Sequence, residues 1–129
     1  MNKILVEVSV GELLDKISIL EIKQEKIKDA ESLKFITDEY KVLKSELDKN
    51  IKTDEKLKNL FNSLKEINSK LWVIEDDKRI CEKNKDFGQT FVDLSRSVYL
   101  NNDLRANIKS KINKILGSNI KEVKQYVNY

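Results

Sequence analysis

The sequence predicts an all-α protein, an antiparallel bundle of four to five helices that includes one long central helix. Three observations lead to this fold class. Apolar residues recur at alternating spacings of three and four along most of the 129 residues. The composition, 40% hydrophobic and 36% charged, supplies both a core and an ionic surface. There is no proline to interrupt long helices. We expect a single helical domain over residues 1–129.

The two ends of the chain carry weak strand patterns on either side of the helical region. Apolar and polar residues alternate over Met1–Val8, as in a half-buried strand. Ser9 and Glu12 then have the capping-box spacing, which predicts a first helix from there to about Lys28. The tail, residues 118–129, also alternates weakly, so the sequence allows a short N-terminal strand that pairs with the C-terminal tail.

Two further helices are predicted in the middle of the chain. Asp29 can cap the second helix, and residues 50–53 form the break after it. The third and longest helix begins at Thr53 and ends near Lys83, with no glycine inside it. The packed faces of these helices are formed by Leu33, Ile36, Tyr40, Leu43 and Leu47 in the second, and by Leu57, Leu60, Leu64, Ile67, Leu71 and Ile74 in the third.

The last third of the chain predicts a loop and a final helical region. Residues 84–88 combine Asn, Asp and Gly and form the clearest loop. A helix follows from Phe91 to Leu116, either continuous or capped again near Asn102 to give a fifth helix. Gly117 suits the left-handed position that ends many helices.

Composition excludes several classes of function. With no histidine, the chain has no Ser–His–Asp or Cys–His pair and no His-ligated metal. Its one cysteine, Cys81, cannot form an intrachain disulfide or a cysteine zinc site. The net charge of +3 is interleaved and 22 of the 25 basic residues are lysine, which argues against a nucleic-acid binder. No apolar run approaches the roughly 20 residues of a membrane span, and the N-terminus lacks the apolar segment typical of a signal peptide, so we expect a soluble cytoplasmic protein.

Polar residues occupy positions on the helix faces that should be packed. The apolar stripe of the third helix continues into ionic positions, where Glu75 and Arg79 have i,i+4 spacing. In the first helix, Glu21 shares a face with Leu14 and Ile17. A buried charge must be paired, hydrated or reserved for a ligand. The resulting candidates for ligand binding are Lys16, Glu21, Glu75, Arg79, Arg96, Tyr99, Asn102, Arg105 and Lys109.

The arginines sharpen this hypothesis. All three lie between positions 79 and 105, in a chain whose other basic residues are lysines. A guanidinium binds carboxylate or phosphate with a planar, two-pronged geometry that an ammonium group cannot reproduce. Two interpretations stay open: a structural salt-bridge network, for example Arg79 with Glu75, or a pocket for an anionic ligand.

Cofactor and partner are predicted from weaker patterns. We expect no cofactor, with Mg²⁺ as the alternative because carboxylate oxygens are the ligands that this ion prefers. The regular three–four spacing is also typical of helices that associate, so we expect a homodimer through the first or second helix. The carboxylates that could hold Mg²⁺ are Glu12, Asp15, Glu21, Glu75 and Asp76.

Three stretches, Val8–Lys23, Leu71–Asp76 and Phe91–Asn113, resemble a bacterial family of about this length that has only a domain-of-unknown-function name. The resemblance covers nearly the whole chain except the segment from Asp29 to Leu64. Members of that family tend to be encoded near genes for lipopolysaccharide or other surface-glycan synthesis, which implies a glycan-related role and no known catalytic residue. The matching polar positions are Glu12, Asp15, Lys16, Glu21, Lys23, Glu75, Asp76, Arg96, Tyr99, Asn102 and Asp103.

These observations favour a binding or accessory module for an anionic metabolite or a partner protein, linked to surface-glycan metabolism. One alternative is an enzyme that works without histidine, with mutase-like or nucleotide-pyrophosphohydrolase-like chemistry in a pocket lined by Arg, Lys and Glu. The other alternative is a coiled-coil scaffold, which predicts a solid bundle without a cavity near Arg96.

Overall fold

The computed structural model describes residues 2–129, and this part of the chain folds into four α-helices. The all-α prediction is confirmed. The sequence allowed four or five helices, and residues 2–129 contain four because the last helix is continuous. None of the four helices has the length and apolarity that crossing a membrane requires. The helices are α1 (Val10–Lys26), α2 (Ala30–Asn50), α3 (Glu55–Lys83) and α4 (Gln89–Leu116).

The helix ends follow local sequence signals. The Ser9 hydroxyl accepts a hydrogen bond from the Glu12 amide at 3.1 Å and caps α1. Asp29 caps α2 in the same way, as predicted. The cap of α3 is Asp54, so this helix begins two residues later than predicted. Gly117 ends α4 with a φ of 62°, in the left-handed region that glycine adopts without strain.

The predicted pairing of strands at the two termini is wrong for residues 2–129, which contain no strand. Met1, the first residue of the expected N-terminal strand, lies outside the described residues. Residues 2–8 alternate between apolar and polar side chains, but they are exposed and do not pair as a strand with another segment among residues 2–129. The tail lies instead along α4, where Glu122 forms an ion pair with Lys109 and Tyr129 stacks on Tyr99.

The central helix is the shortest one. The backbone of α1, 17 residues long, lies close to all three other helices, whereas that of α2 lies close only to α1 among the described helices. The predicted long central helix is therefore wrong in its position, because α3, with 29 residues, packs at the side as an antiparallel hairpin with α4. The fully buried core where these helices meet consists of Leu14, Ile17, Leu47, Leu57, Leu64 and Ile112.

Beyond α1, the α3–α4 hairpin continues as an arm, residues 73–101. Within the arm only Cys81 is buried. Four aliphatic side chains of the hairpin are exposed in or just past the arm. The two in α3 are about two turns apart and the two in α4 about one turn apart, so each pair shares a face of its helix. We call these four residues the back face: Val73 and Ile80 in α3, and Leu100 and Leu104 in α4.

Candidate functional site

A buried carboxylate lies where α1 crosses α3 and α4. The side chain of Asp15 is 1% exposed, and the Arg105 guanidinium binds both of its oxygens, with Nε donating to Oδ1 at 2.9 Å and Nη2 donating to Oδ2. Asn68 of α3 donates to the same Oδ1 at 2.9 Å and to the Ser18 hydroxyl at 2.8 Å. Both oxygens of the buried carboxylate therefore accept hydrogen bonds, and its charge is paired with that of Arg105.

Opposing effects set the pKa of this pair. Burial alone would raise the pKa of Asp15, but the hydrogen bonds from Arg105 and Asn68 and the nearby positive charges hold it below the ordinary aspartate value. The hydrogen bond to Asp15 raises the pKa of Arg105. Both groups are consequently charged at neutral pH.

Lys109 lies one turn along α4 from Arg105 and extends the network. Its Nζ donates to Glu12 at 2.6 Å and to Glu122 of the tail at 3.1 Å, and lies 3.9 Å from an Asp15 oxygen. Burial alone would lower the pKa of Lys109, but the hydrogen bonds to these carboxylates raise it above its ordinary value. The ammonium group therefore joins α1, α4 and the tail.

The N-terminus of α1 docks directly on α4. The Gly11 amide donates to the Asn113 side chain at 2.7 Å, and the Val10 amide donates to the Ser118 hydroxyl at 3.3 Å. A Cβ atom at Gly11 would lie 2.7 Å from the Lys109 carbonyl oxygen, closer than real contacts allow. Glycine at this position lets the two helices approach and places Glu12 and Asp15 against Lys109 and Arg105.

A groove opens beside the Asp15–Arg105 pair, between α1, α3 and α4. We call it the α1–α3–α4 groove; its volume is about 400 Å³. Ile19 and Ile22 of α1 and Leu71 and Trp72 of α3 form its apolar wall. Its charged lining groups are Glu75, Asp76, Arg79 and Arg105.

The structure brings five of the nine predicted site residues into or beside this network. Arg105 also donates from Nη1 to Asn102 Oδ1 at 3.4 Å, and Lys109 lies on the next turn. Glu75 and Arg79 form the predicted i,i+4 ion pair at 2.7 Å, at the rim of the groove. Their role in ligand binding stays a prediction.

The other four residues lie outside the groove, although Lys16 pairs with Glu12 of the network. Arg96 is exposed on α4 and does not line the groove, and Tyr99 stacks on Tyr129 with ring centroids 5.4 Å apart. Glu21 accepts hydrogen bonds from Lys65 at 3.1 Å and from Tyr40 at 3.3 Å. Lys16 is half-exposed and lies 3.9 Å from Glu12.

The five carboxylates suggested for Mg²⁺ are not assembled into one site. Among residues 2–129 there is no group of three potential ligands. Glu12 and Asp15 instead neutralise Lys109 and Arg105. Glu21 pairs with Lys65, and Glu75 pairs with Arg79.

Sequence reasoning missed several members of the network. It proposed Asp15 as a Mg²⁺ ligand and overlooked Ser18, although the two lie three positions apart among the apolar residues of α1, a signal that could have identified both as one buried unit. Gly11 is a second such signal. Glycine disfavours a helix, so its position in the first turn of α1 indicates a close contact with another element. Nothing local marks Glu122 or Ser118, because their partners lie about a hundred residues earlier or on another element.

Comparison with known proteins identifies a family. The model of a family described as "Family of unknown function (DUF6165)" matches residues 4–129, nearly the whole chain. No curated protein and no solved structure matches the chain at a significant level.

Proposed function

We propose that this chain, which belongs to the family of unknown function DUF6165, is a binding module that takes a small anionic ligand in the α1–α3–α4 groove. The observation that carries the proposal is that Trp72, Arg79 and Arg105 line one open space of about 400 Å³. This volume lies within the range of about 300–1,000 Å³ that is usual for small-molecule sites.

The two arginines suit different parts of the task. Arg105 is held rigidly by Asp15, yet a guanidinium has five N–H donors, of which Asp15 takes two and Asn102 takes one, so donors in fixed positions remain for an anion. Arg79 is 71% exposed, and its ion pair with Glu75 is of the surface kind, worth about 0–1 kcal/mol. It can therefore exchange Glu75 for a ligand at little cost.

The remaining lining groups favour an anion that also carries hydroxyl groups and an apolar surface. The carboxylates of Glu75 and Asp76 can accept hydrogen bonds from hydroxyls, and the Trp72 ring offers a flat apolar wall. A phosphorylated sugar combines these features, so it is the first ligand class to test. Such a ligand would agree with the role in surface-glycan metabolism that the family resemblance implies.

The test uses a reporter that the chain already contains, because Trp72 is its only tryptophan. Phosphorylated sugars, nucleotides and dicarboxylates are titrated while tryptophan fluorescence is followed. We expect a saturable change with one class. Arg79→Gln should weaken binding about tenfold or more, since a charge-assisted hydrogen bond contributes about 1.5–3 kcal/mol.

The matched control is Lys70→Gln, which removes a positive charge from the same helix at a position outside the groove. It should leave the affinity unchanged. The proposal fails if none of the three ligand classes changes the fluorescence, or if both substitutions weaken binding equally.

We also propose that two copies associate through the back face. The interface expected from the sequence, the first or second helix, is disfavoured for α1 because three other helices surround it. The back face exposes four aliphatic residues in or just past an arm that contains only one buried residue, Cys81. The two helices carry charges of both signs near these residues in sequence, Lys70 and Asp77 in α3 and Asp93 and Arg96 in α4, so two copies need not repel each other.

A further inference from the structure

A second cavity, of about 340 Å³, lies between α4 and the tail. It shares no lining residue with the α1–α3–α4 groove. Four lysines line it, Lys109 and Lys114 from α4 and Lys121 and Lys124 from the tail. Glu122 is the one carboxylate among its described lining residues, so lysines outnumber acids four to one around this space.

Lys109 anchors the cavity from within. The residue is 9% exposed, and its Nζ lies between Glu12 of α1 and Glu122 of the tail, at 2.6 and 3.1 Å. Glu12 is fixed on a helix, whereas the Glu122 side chain is 49% exposed on an extended segment. Glu122 is therefore the partner of Lys109 that an incoming anion can replace.

The tail is attached to α4 at few points. Besides the Glu122 ion pair, Tyr129 stacks on Tyr99 and donates a hydrogen bond to Asp103. Val123 and Val127 are 86% and 89% exposed, so little apolar burial holds the segment between these points. A ligand that bound Lys121 and Lys124 would add contacts between the tail and α4.

We propose that this cavity binds a diphosphate group, either free or as part of a larger metabolite, and that the diphosphate displaces Glu122 from Lys109. Lysine ammonium groups bind phosphate as point charges, without the planar geometry that a guanidinium imposes. A single phosphate can meet only part of a set of four lysines that comes from two segments. A diphosphate carries more charge on two linked groups, and it can contact α4 and the tail together.

The experiment is isothermal titration calorimetry of the full chain with inorganic pyrophosphate, and separately with orthophosphate and sulfate, at one ionic strength. We expect pyrophosphate to bind more tightly than the other two anions. The double variant Lys121→Gln/Lys124→Gln should weaken it about tenfold or more, because charge-assisted hydrogen bonds carry most of such affinity. Both side chains are on the exposed tail, so the fold does not depend on them.

Two further variants separate displacement from general charge attraction. Glu122→Gln should strengthen pyrophosphate binding severalfold, because it removes the competing charge. The control is Lys111→Gln. Lys111 lies on the other side of α4, beside Lys56 and Asn59 of α3, so its substitution should leave pyrophosphate binding unchanged.

The two sources of a diphosphate are distinguished by comparing pyrophosphate with a nucleoside diphosphate and a sugar diphosphate. Equal affinities would assign recognition to the diphosphate alone, and a tighter organic ligand would place its carrier in contact with the cavity. The proposal is overturned if pyrophosphate binds no better than orthophosphate, or if Lys111→Gln weakens binding as much as the double variant.

Discussion

Asp15 carries a charge in the interior of the protein, and groups from two other helices make this possible. Arg105 of α4 satisfies both carboxylate oxygens, and Asn68 of α3 adds a further donor. Lysine at position 105 could not serve both oxygens in this planar way, which gives a physical reason for arginine in a chain dominated by lysine. The pair fixes how α4 lies against α1, whatever ligand binds beside it.

At this scale we predict that Arg105→Met destabilises the protein by about 3–5 kcal/mol, because it leaves the Asp15 charge buried without a partner. Arg96→Met should change the free energy of unfolding by no more than about 0.5 kcal/mol, because Arg96 is exposed. Urea denaturation of the three proteins measures both values. Equal stabilities for wild type and Arg105→Met would contradict the structural role of the pair.

The dependence on pH gives a check on the same experiment. Because the pKa of Asp15 in the folded protein lies below its ordinary value, the pair contributes fully at neutral pH. This contribution is lost as the pH falls below about 4. In that range the Asp15 carboxyl of the unfolded chain binds a proton before that of the folded protein does, which favours the unfolded state. The difference in stability between wild type and Arg105→Met should therefore narrow in acid.

At the scale of the element, the first turn of α1 depends on distant parts of the chain. Its free backbone amides would normally be satisfied by local caps or water. Here Ser9 supplies one local acceptor, but Asn113 and Ser118 accept the bonds from Gly11 and Val10. A Cβ atom at Gly11 would lie 2.7 Å from the Lys109 carbonyl oxygen, so α1 and α4 must shift apart for any residue other than glycine there.

We expect Gly11→Ala to destabilise the protein by about 1–3 kcal/mol, although alanine is the better helix former, because its Cβ atom would collide with the backbone of α4. Chemical denaturation followed by circular dichroism measures the change. Lys16→Ala, on the exposed side of the same helix, is the control and should lie within about 0.5 kcal/mol of wild type. A neutral or stabilising Gly11→Ala would mean that α1 and α4 are not packed this closely.

The elements show which parts of the fold could be predicted from the sequence. The caps at Ser9 and Asp29 and the glycine at 117 are local signals, and the structure confirms all three. The i,i+4 pair of Glu75 and Arg79 is local as well. The pairing of Glu12 with Lys109 is not local, because it spans 97 positions and no pattern of spacing specifies this lysine. The same limit applies to the cavity, which exists only because the tail folds back on α4.

At the scale of the whole molecule, the distribution of the core is uneven. The buried apolar residues concentrate where α1 crosses the hairpin, whereas the arm contains one buried residue, Cys81. Helices gain most of their stability from packing an apolar face, and two helices alone offer little of it. Association of two back faces would give both arms the layer that they lack.

We therefore expect the protein to have twice the 15.1 kDa mass of one chain in light scattering at micromolar concentration. Leu104→Asp should shift it to the monomer, since it places a charge in the proposed interface. Val42→Asp on α2 is the matched control, because Val42 is also exposed, at 67%, but lies outside the back face. Dissociation by Val42→Asp and not by Leu104→Asp would assign the interface to the second helix, and a monomeric wild type would exclude the dimer.

The docking of α1 also has a consequence for the order in which the protein folds. Its contacts with α4 and the tail join residues 90 to 108 positions apart, whereas contacts in helical proteins are mostly local. On the ribosome, Asp15 emerges long before Arg105, so α1 can contact α2 and α3 before α4 is synthesised. The contacts of α1 with α4 therefore form last, and a chain whose synthesis stops before Arg105 leaves Asp15 without its ion-pair partner.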